Sequence, residues 1–120
     1  MKVLKLTMCH KWYDMIESGE KQVEYREIKK HWVKTLTLFP HFDSYAIQWF
    51  YVDFKHYDAV QFFRGAYLSE KLPNMTFELK NIKIDFGKKE WGAAEGTKYF
   101  CLELGNKITK TETQNETAKA

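Results

Sequence analysis

Three charged side chains lie close together in the segment GEKQVEYR, which runs from residue 19 to residue 26. Lys21 carries an ammonium group, Glu24 a carboxylate, and Arg26 a guanidinium whose planar fork can contact a phosphate or the edge of a base. If this segment is a strand, Glu24 and Arg26 project from the same face, about 7 Å apart along the chain. Groups that converge in this way beside a tight turn predict a polar binding site.

A simpler interpretation of the same residues stays open. A lysine just after a helix interacts favourably with the helix dipole, which by itself accounts for Lys21. Alternating charges on a strand usually mark a solvent-exposed face, where an ion pair such as Glu24–Arg26 contributes about 0–1 kcal/mol. The binding site is the hypothesis that the rest of the chain has to support.

Arg64 is a fourth candidate, because it has the same parity as the inward-facing Val60 on a predicted strand. It either leaves the core at the end of that strand or points into a cleft over Tyr67. Gly65 ends the strand, just as Gly19 ends the helix that precedes the charged segment. We therefore assign structural turns to these two glycines.

Aromatic side chains make up 17% of the chain, so some rings are expected to be partly exposed and able to stack on a ligand. Trp32 and Trp91 are the candidates for such surfaces, whereas Trp12 is expected in the core. Cys9 and Cys101 are expected to be reduced and buried. Neither the cysteines nor the four scattered histidines show the spacing of metal ligands, so no metal and no cofactor are expected.

The charged segment is positioned by alternating predicted strands and helices. These are strand Val3–Met8, helix His10–Ser18, strand Gln22–Arg26 and helix Glu27–Leu36. In the first helix, Trp12, Met15 and Ile16 form the predicted apolar stripe.

The second half of the chain is predicted to be mostly strands. Residues 37–56 are rich in aromatic side chains and are expected to form a packed excursion, partly helical around Ala46–Tyr51. The strands that follow are Tyr57–Arg64, Thr76–Phe86 and Lys98–Leu104. The parity of the apolar residues changes within Thr76–Phe86, which predicts a bulge near Lys80–Asn81. Residues 106–120 are polar and lack aromatic side chains, so we expect a flexible tail after a single domain of residues 1–105.

This order of elements predicts an α+β fold, a small and mostly antiparallel β-barrel with two N-terminal helices packed at its ends. A length of 120 residues fits one domain. The net charge of +3 permits binding to a phosphate backbone without demanding it. Because neither a leader pattern nor a membrane-spanning apolar run is visible, we expect a cytoplasmic protein without a membrane partner.

The segment WYDMIESGEKQVEYR, residues 12–26, resembles the signature of ASCH domains: an aromatic helix, Gly-x-Lys, and Glu-x-Arg on the next strand. The later segments VQFFRGAY and KYFCLELG resemble two further blocks of that family. The resemblance covers residues 3–105 and implies a PUA-like β-barrel with a helix-lined cleft and a role with RNA or nucleotides. It matches Gly19 to the turn glycine, Lys21 to the motif lysine and Arg26 to the motif arginine.

One position departs from part of that family. Some ASCH members are small amidohydrolases that act on acylated cytidine, and in these the motif lysine works with a threonine. This chain has Glu24 there. A carboxylate can act as a base, but it does not replace a hydroxyl in the same role.

Three functions follow as alternatives. An RNA- or nucleotide-binding domain would use Lys21, Glu24, Arg26, Arg64 and Tyr67. A small hydrolase of a modified nucleoside would use Lys21 as general base or nucleophile, with Glu24 positioning it. A protein-interaction domain would use an exposed apolar patch within residues 39–54.

Overall fold

The computed structural model of the protein describes residues 1–38, 44–49 and 52–109. Its elements are β1 (Val3–Met8), α1 (His10–Glu17), β2 (Val23–Glu27), α2 (Lys30–Leu36), α3 (Ser44–Trp49), β3 (Ala59–Arg64), β4 (Asn74–Phe86) and β5 (Lys98–Ile108). A 3-10 turn, Lys89–Trp91, lies between β4 and β5. The predicted order of strands and helices is confirmed, and α3 falls in the region expected to be partly helical.

The strands form a five-stranded sheet in the order β1-β3-β4-β5-β2. Strand β1 pairs with β3 in parallel, with Val3 opposite Ala59. Strands β3 and β4 are antiparallel, as are β2 and β5. The sheet is therefore mixed, and the α+β class is confirmed. The PUA-like barrel and the packing of helices at its ends stay predictions.

The chain divides into two compact units, and each has its own buried apolar side chains. The first contains residues 1–22 and 57–80 and the chain from residue 104 onward. Its core combines side chains from β1, α1, β3 and β4: Leu4, Leu6, Met8, Tyr13, Ile16, Val60, Phe62, Phe63 and Met75. The second contains residues 23–56 and 81–103. Its buried side chains include Val33, Leu36, Ile47, Val52, Ile82, Phe100, Cys101 and Leu102.

The face that helix α1 buries differs from its predicted apolar stripe by about one residue position. Its buried residues are Tyr13 and Ile16, whereas Trp12 and Met15 are half-buried. The prediction that Trp12 lies in the core is therefore wrong. The helix contacts β3, and a tyrosine buries its large ring while its hydroxyl can still find a polar partner.

Strand β4 changes the phase of its burial pattern where the sequence predicted. Met75 is buried at its start and Ile82 further along, while Lys80 and Asn81 are both exposed. Because two consecutive residues are exposed, the inward-facing positions change from odd-numbered to even-numbered residues. The phase change is confirmed, and the bulge itself stays a prediction.

The last strand extends past the predicted domain boundary at Gly105. Asn106–Ile108 belong to β5, and the Asn106 N–H donates to Glu78 Oε2 at 3.3 Å. Asn106–Ile108 remain in the strand because backbone pairing continues beyond the apolar residues from which the strand was predicted. The predicted tail beyond residue 109 lies outside the described residues.

None of the helices in the described ranges combines the length and the apolar character that crossing a membrane requires.

Candidate functional site

Glu24 and Arg26 form a close ion pair on one face of β2. Arg26 donates from Nε and Nη2 to Glu24 Oε2, at 3.1 and 2.7 Å. Glu24 Oε1 accepts the N–H of Tyr25 at 3.1 Å. The side chains are 16% and 7% exposed, so the pair is mostly buried and does not lie on a solvated strand face. The predicted same-face geometry of the two residues is present.

Burial changes the energetics of this pair. Removing two charges from water costs several kcal/mol per ion, and the mutual attraction offsets this only when geometry and further hydrogen bonds are good. Within the described chain, every buried side-chain nitrogen and oxygen has a hydrogen-bond partner. The pair therefore holds a guanidinium in one orientation, with hydrogen bonds that offset part of the cost of removing both charges from water.

Trp32 of α2 contributes to holding the guanidinium. Arg26 Cζ lies 5.0 Å from the centroid of the Trp32 ring, which is within the range of a cation–π contact. His31 meets the same ring edge-on, with centroids 4.5 Å apart. Trp32 is half-buried and contacts Arg26, and its predicted stacking on a ligand stays a prediction.

Lys21 is buried in the first unit, with a relative exposure of 2%. Its backbone N–H donates to Met15 O at 2.9 Å, which ties it to the last turn of α1. Gly19 has a φ of 85°, and this left-handed conformation allows the chain to leave the helix sharply. The Lys21 Nζ lies 4.6 Å from the centroid of Trp12, as does that of Lys11.

A cavity of about 300 Å³ lies next to this turn. Its lining comprises Ile16, Gly19, Lys21, Gln22, Phe77, Lys80, Leu104, Gly105 and Asn106. Lys21 belongs to the first unit, whereas Glu24 and Arg26 belong to the second. That these three line one cleft stays a prediction.

Arg64 extends from the end of β3 to Asp14 on α1. Its Nε and Nη2 donate to the two oxygens of Asp14 at 2.9 and 3.0 Å. These hydrogen bonds hold the pKa of Asp14 below its usual value and raise the pKa of Arg64. Tyr67 is 74% exposed, and Gly65 has a φ of 134°. The fork of Arg64 is thus engaged by a carboxylate 50 residues away, a partner that sequence spacing does not reveal.

Lys98 marks a second cation and aromatic cluster, which the sequence analysis missed. Its Nζ lies 3.8 Å from the ring centroid of Trp49 and 5.4 Å from that of Phe86. Lys88 lies over Trp91 at 4.2 Å, so Trp91 is half-buried under a lysine. The only sequence signal for the Lys98 contacts is the high aromatic content, because Lys98, Trp49 and Phe86 come from different elements.

The two thiols differ in their surroundings. Cys101 is buried and Cys9 is exposed, and both are free. The prediction that both are buried is therefore wrong for Cys9, which follows the end of β1 and precedes α1, where the chain reaches the surface. Burial raises the pKa of Cys101 to about 11. Among the described residues, no three His, Cys, Asp or Glu side chains group as metal ligands.

Part of the predicted protein-interaction patch lies outside the described residues. Of residues 39–54, positions 39–43, 50 and 51 lie outside the described residues.

Comparisons of the chain with family models, curated proteins and solved structures find no match.

Proposed function

We propose that the chain binds RNA or a nucleotide through a polar site around Lys21, Glu24 and Arg26, as its resemblance to ASCH domains implies. The observation that carries the proposal is the mostly buried Glu24–Arg26 pair held against Trp32. A guanidinium fixed by a carboxylate and a ring is preorganised, so binding a phosphate or base edge costs little further side-chain entropy.

Stability does not explain the pair well. Buried ion pairs are on average no better for stability than apolar residues of the same size. Glu24, which is 5% exposed on a short strand, provides a charge in a fixed position. A charge in a fixed position is useful for recognition. Arg26 keeps part of its surface in solvent, with 16% of its side chain exposed.

Lys21 is the second cation of the proposed site. It lies three residues before Glu24, so their Cα atoms are at most about 11 Å apart along the chain. A lysine at 2% exposure is rare, because charged side chains almost never bury fully unless they are paired. An ammonium and a guanidinium close together in sequence suit an anionic ligand.

The test is a titration of the wild type, Arg26→Lys and Lys29→Ala with short RNA oligomers and mononucleotides. Arg26→Lys keeps the charge but loses the planar fork, so we expect binding to weaken about 10-fold or more, a loss of about 1.4 kcal/mol. Lys29 is 69% exposed and pairs with Glu27, which makes Lys29→Ala a matched removal of a surface cation with binding expected unchanged. Thermal melts of all three proteins separate lost binding from lost folding. Equal binding by wild type and Arg26→Lys would place the ligand elsewhere.

A second candidate is hydrolysis of an acylated nucleoside, favoured by the burial of both Lys21 and Glu24 at 2% and 5% exposure. Water would be added across the amide, releasing the carboxylic acid and the free base amine. Incubation of the protein with acylated cytidine, followed by chromatography for cytidine, tests this directly. We expect any product to disappear in Lys21→Met, and no product from the wild type would exclude this substrate.

A further inference from the structure

Trp49 and Phe86 are exposed aromatic side chains that share one lysine. They are 61% and 54% exposed, although burial of a large apolar side chain stabilises the folded state. Trp49 ends α3 and Phe86 ends β4, so the two residues belong to elements of the second unit that are far apart in sequence. Both ring centroids lie within 5.4 Å of the Lys98 Nζ. We call this the Lys98 cluster.

The ammonium of Lys98 is fixed in place. Its Nζ donates to the carbonyl oxygen of Gln48 at 3.0 Å, near the C-terminal end of α3, where backbone carbonyls lack helical partners. The side chain is half-buried. No carboxylate in the described part of the chain forms an ion pair with it, in contrast to Lys29 and Lys83. The cluster thus presents a positive charge that no described acidic side chain neutralises.

The aromatic surface beside this charge is open. Lys98 lies over the Trp49 ring at 3.8 Å, yet more than half of Trp49 is in solvent. The exposed area must then come mainly from the parts of the indole that Lys98 does not cover. Because Lys98 lies over one face of the indole, a planar ligand would stack on the exposed remainder of the ring, with its attached anion near the Lys98 ammonium.

We propose that the Lys98 cluster binds an unpaired nucleotide of a single-stranded nucleic acid. The base would stack on Trp49, with Phe86 beside it, and the phosphate would pair with Lys98. Base–aromatic stacking is tolerant of sequence, and a nearby cation supplies the contact to the backbone. The proposal rests on the nucleic-acid function proposed above and adds a contact to it, on β4, β5 and α3.

The test uses fluorescein-labelled oligouridylate and oligothymidylate of about ten nucleotides, with uridine monophosphate as a competitor. The proteins are the wild type, Trp49→Ala, Trp49→Phe, Phe86→Ala and Lys98→Met. We expect Trp49→Ala to weaken oligomer binding about 5- to 100-fold, the range for losing one stacked base. Trp49→Phe should retain most of the binding, and oligomer binding should quench tryptophan fluorescence less in this variant. Leu68→Ala, which removes an exposed apolar side chain of the first unit, is the control and should bind like the wild type.

The outcomes separate the two proposals. Loss of oligomer binding in Trp49→Ala, but not in Arg26→Lys, would support the Lys98 cluster and count against the site at Arg26. Loss in Arg26→Lys with unchanged binding in Trp49→Ala, Phe86→Ala and Lys98→Met would overturn the cluster and leave the first proposal standing. A wild type that binds no oligomer overturns both. Because Trp49 and Phe86 are exposed, their variants should melt within a few degrees of the wild type, so a folding defect does not obscure the result.

Discussion

At the scale of single residues, the mostly buried Glu24–Arg26 pair is the feature with the largest energetic consequences. The two hydrogen bonds from Arg26 both end on Glu24 Oε2. Loss of the carboxylate deprives a guanidinium with 16% exposure of the counter-charge at which both hydrogen bonds end. Exposed pairs such as Lys29–Glu27 lose far less, because water replaces the partner.

Glu24→Gln should therefore lower the free energy of unfolding by about 3 kcal/mol, the cost of removing one partner of a buried ion pair. The double variant Glu24→Leu, Arg26→Met should recover most of that loss, since apolar residues of similar volume carry no desolvation penalty. Urea unfolding of the wild type and the variants measures both effects. A loss below about 0.5 kcal/mol in Glu24→Gln would mean that water screens the pair.

Cys101 gives a pH dependence whose direction follows from its burial. Its pKa is raised from 9.0 to about 11, so between these values the folded state holds the thiol proton while the unfolded state releases it. The unfolded state then binds fewer protons, and stability falls as pH rises. The contribution is complete below pH 9.0 and is lost by about pH 11, and a shift of this size amounts to roughly 2–3 kcal/mol.

Chemical unfolding from pH 8 to pH 11, for wild type and Cys101→Ala, tests this expectation. The wild type should lose more stability over this range than the variant, by on the order of 2 kcal/mol. Both proteins will also respond to Tyr25 and Tyr57, whose pKa values burial raises as well. The difference between the two curves isolates the thiol, and parallel curves would contradict the assigned shift.

At the scale of elements, the join between β4 and the following turn depends on a close backbone approach at Gly87. A Cβ at this position would lie 2.6 Å from Ala93 Cβ and 2.8 Å from two ring carbons of Tyr25. The same turn is held by the Lys88 N–H, which donates to the Tyr25 hydroxyl at 3.0 Å. The packing of β2 against this turn therefore leaves no space for a side chain.

Gly87→Ala should destabilise the protein by about 1–3 kcal/mol, because overpacking forces the Tyr25 ring or the backbone to move. Gly105→Ala is the matched control. Its Cβ would meet Glu78 and Lys80, whose long side chains can adjust at lower cost. Thermal melts of both variants should rank Gly87→Ala well below Gly105→Ala, and the reverse order would show that Tyr25 can move freely.

At the scale of the whole molecule, the sheet order joins strands that are distant in sequence. Neighbours β1 and β3 are separated by three helices and β2, and β2 pairs with β5, which comes last in the element order. Strands β4 and β5 each contribute residues to both compact units. The end of β5 is thus part of the first unit, although its composition is that of a tail.

Two truncations test where the folded chain ends. Stopping after Thr109 should leave the melting temperature nearly unchanged, because the deleted residues are polar and lack aromatic side chains. Stopping after Gly105 should lower it by several degrees, since it removes the Asn106 hydrogen bond to Glu78 and the half-buried Ile108. Equal melting temperatures for both truncations would mean that the end of β5 contributes nothing to stability.

The sequence by itself determined which segments are strands and helices, because strand and helix periods are local properties of the chain. It also placed Glu24 and Arg26 on one face of β2, since alternation in a strand needs no tertiary contact. For the same reason, it located the change of phase at Lys80 and Asn81 in β4.

Only the tertiary structure decided what those side chains meet. Arg64 pairs with Asp14 across 50 residues, and Lys98 lies over Trp49 and Phe86 from other elements. The orientation of α1, which buries Tyr13 in place of Trp12, follows from its contact with β3. Burial, charge pairing and ring contacts depend on the long-range packing of elements, and residue spacing along the chain carries no record of that packing.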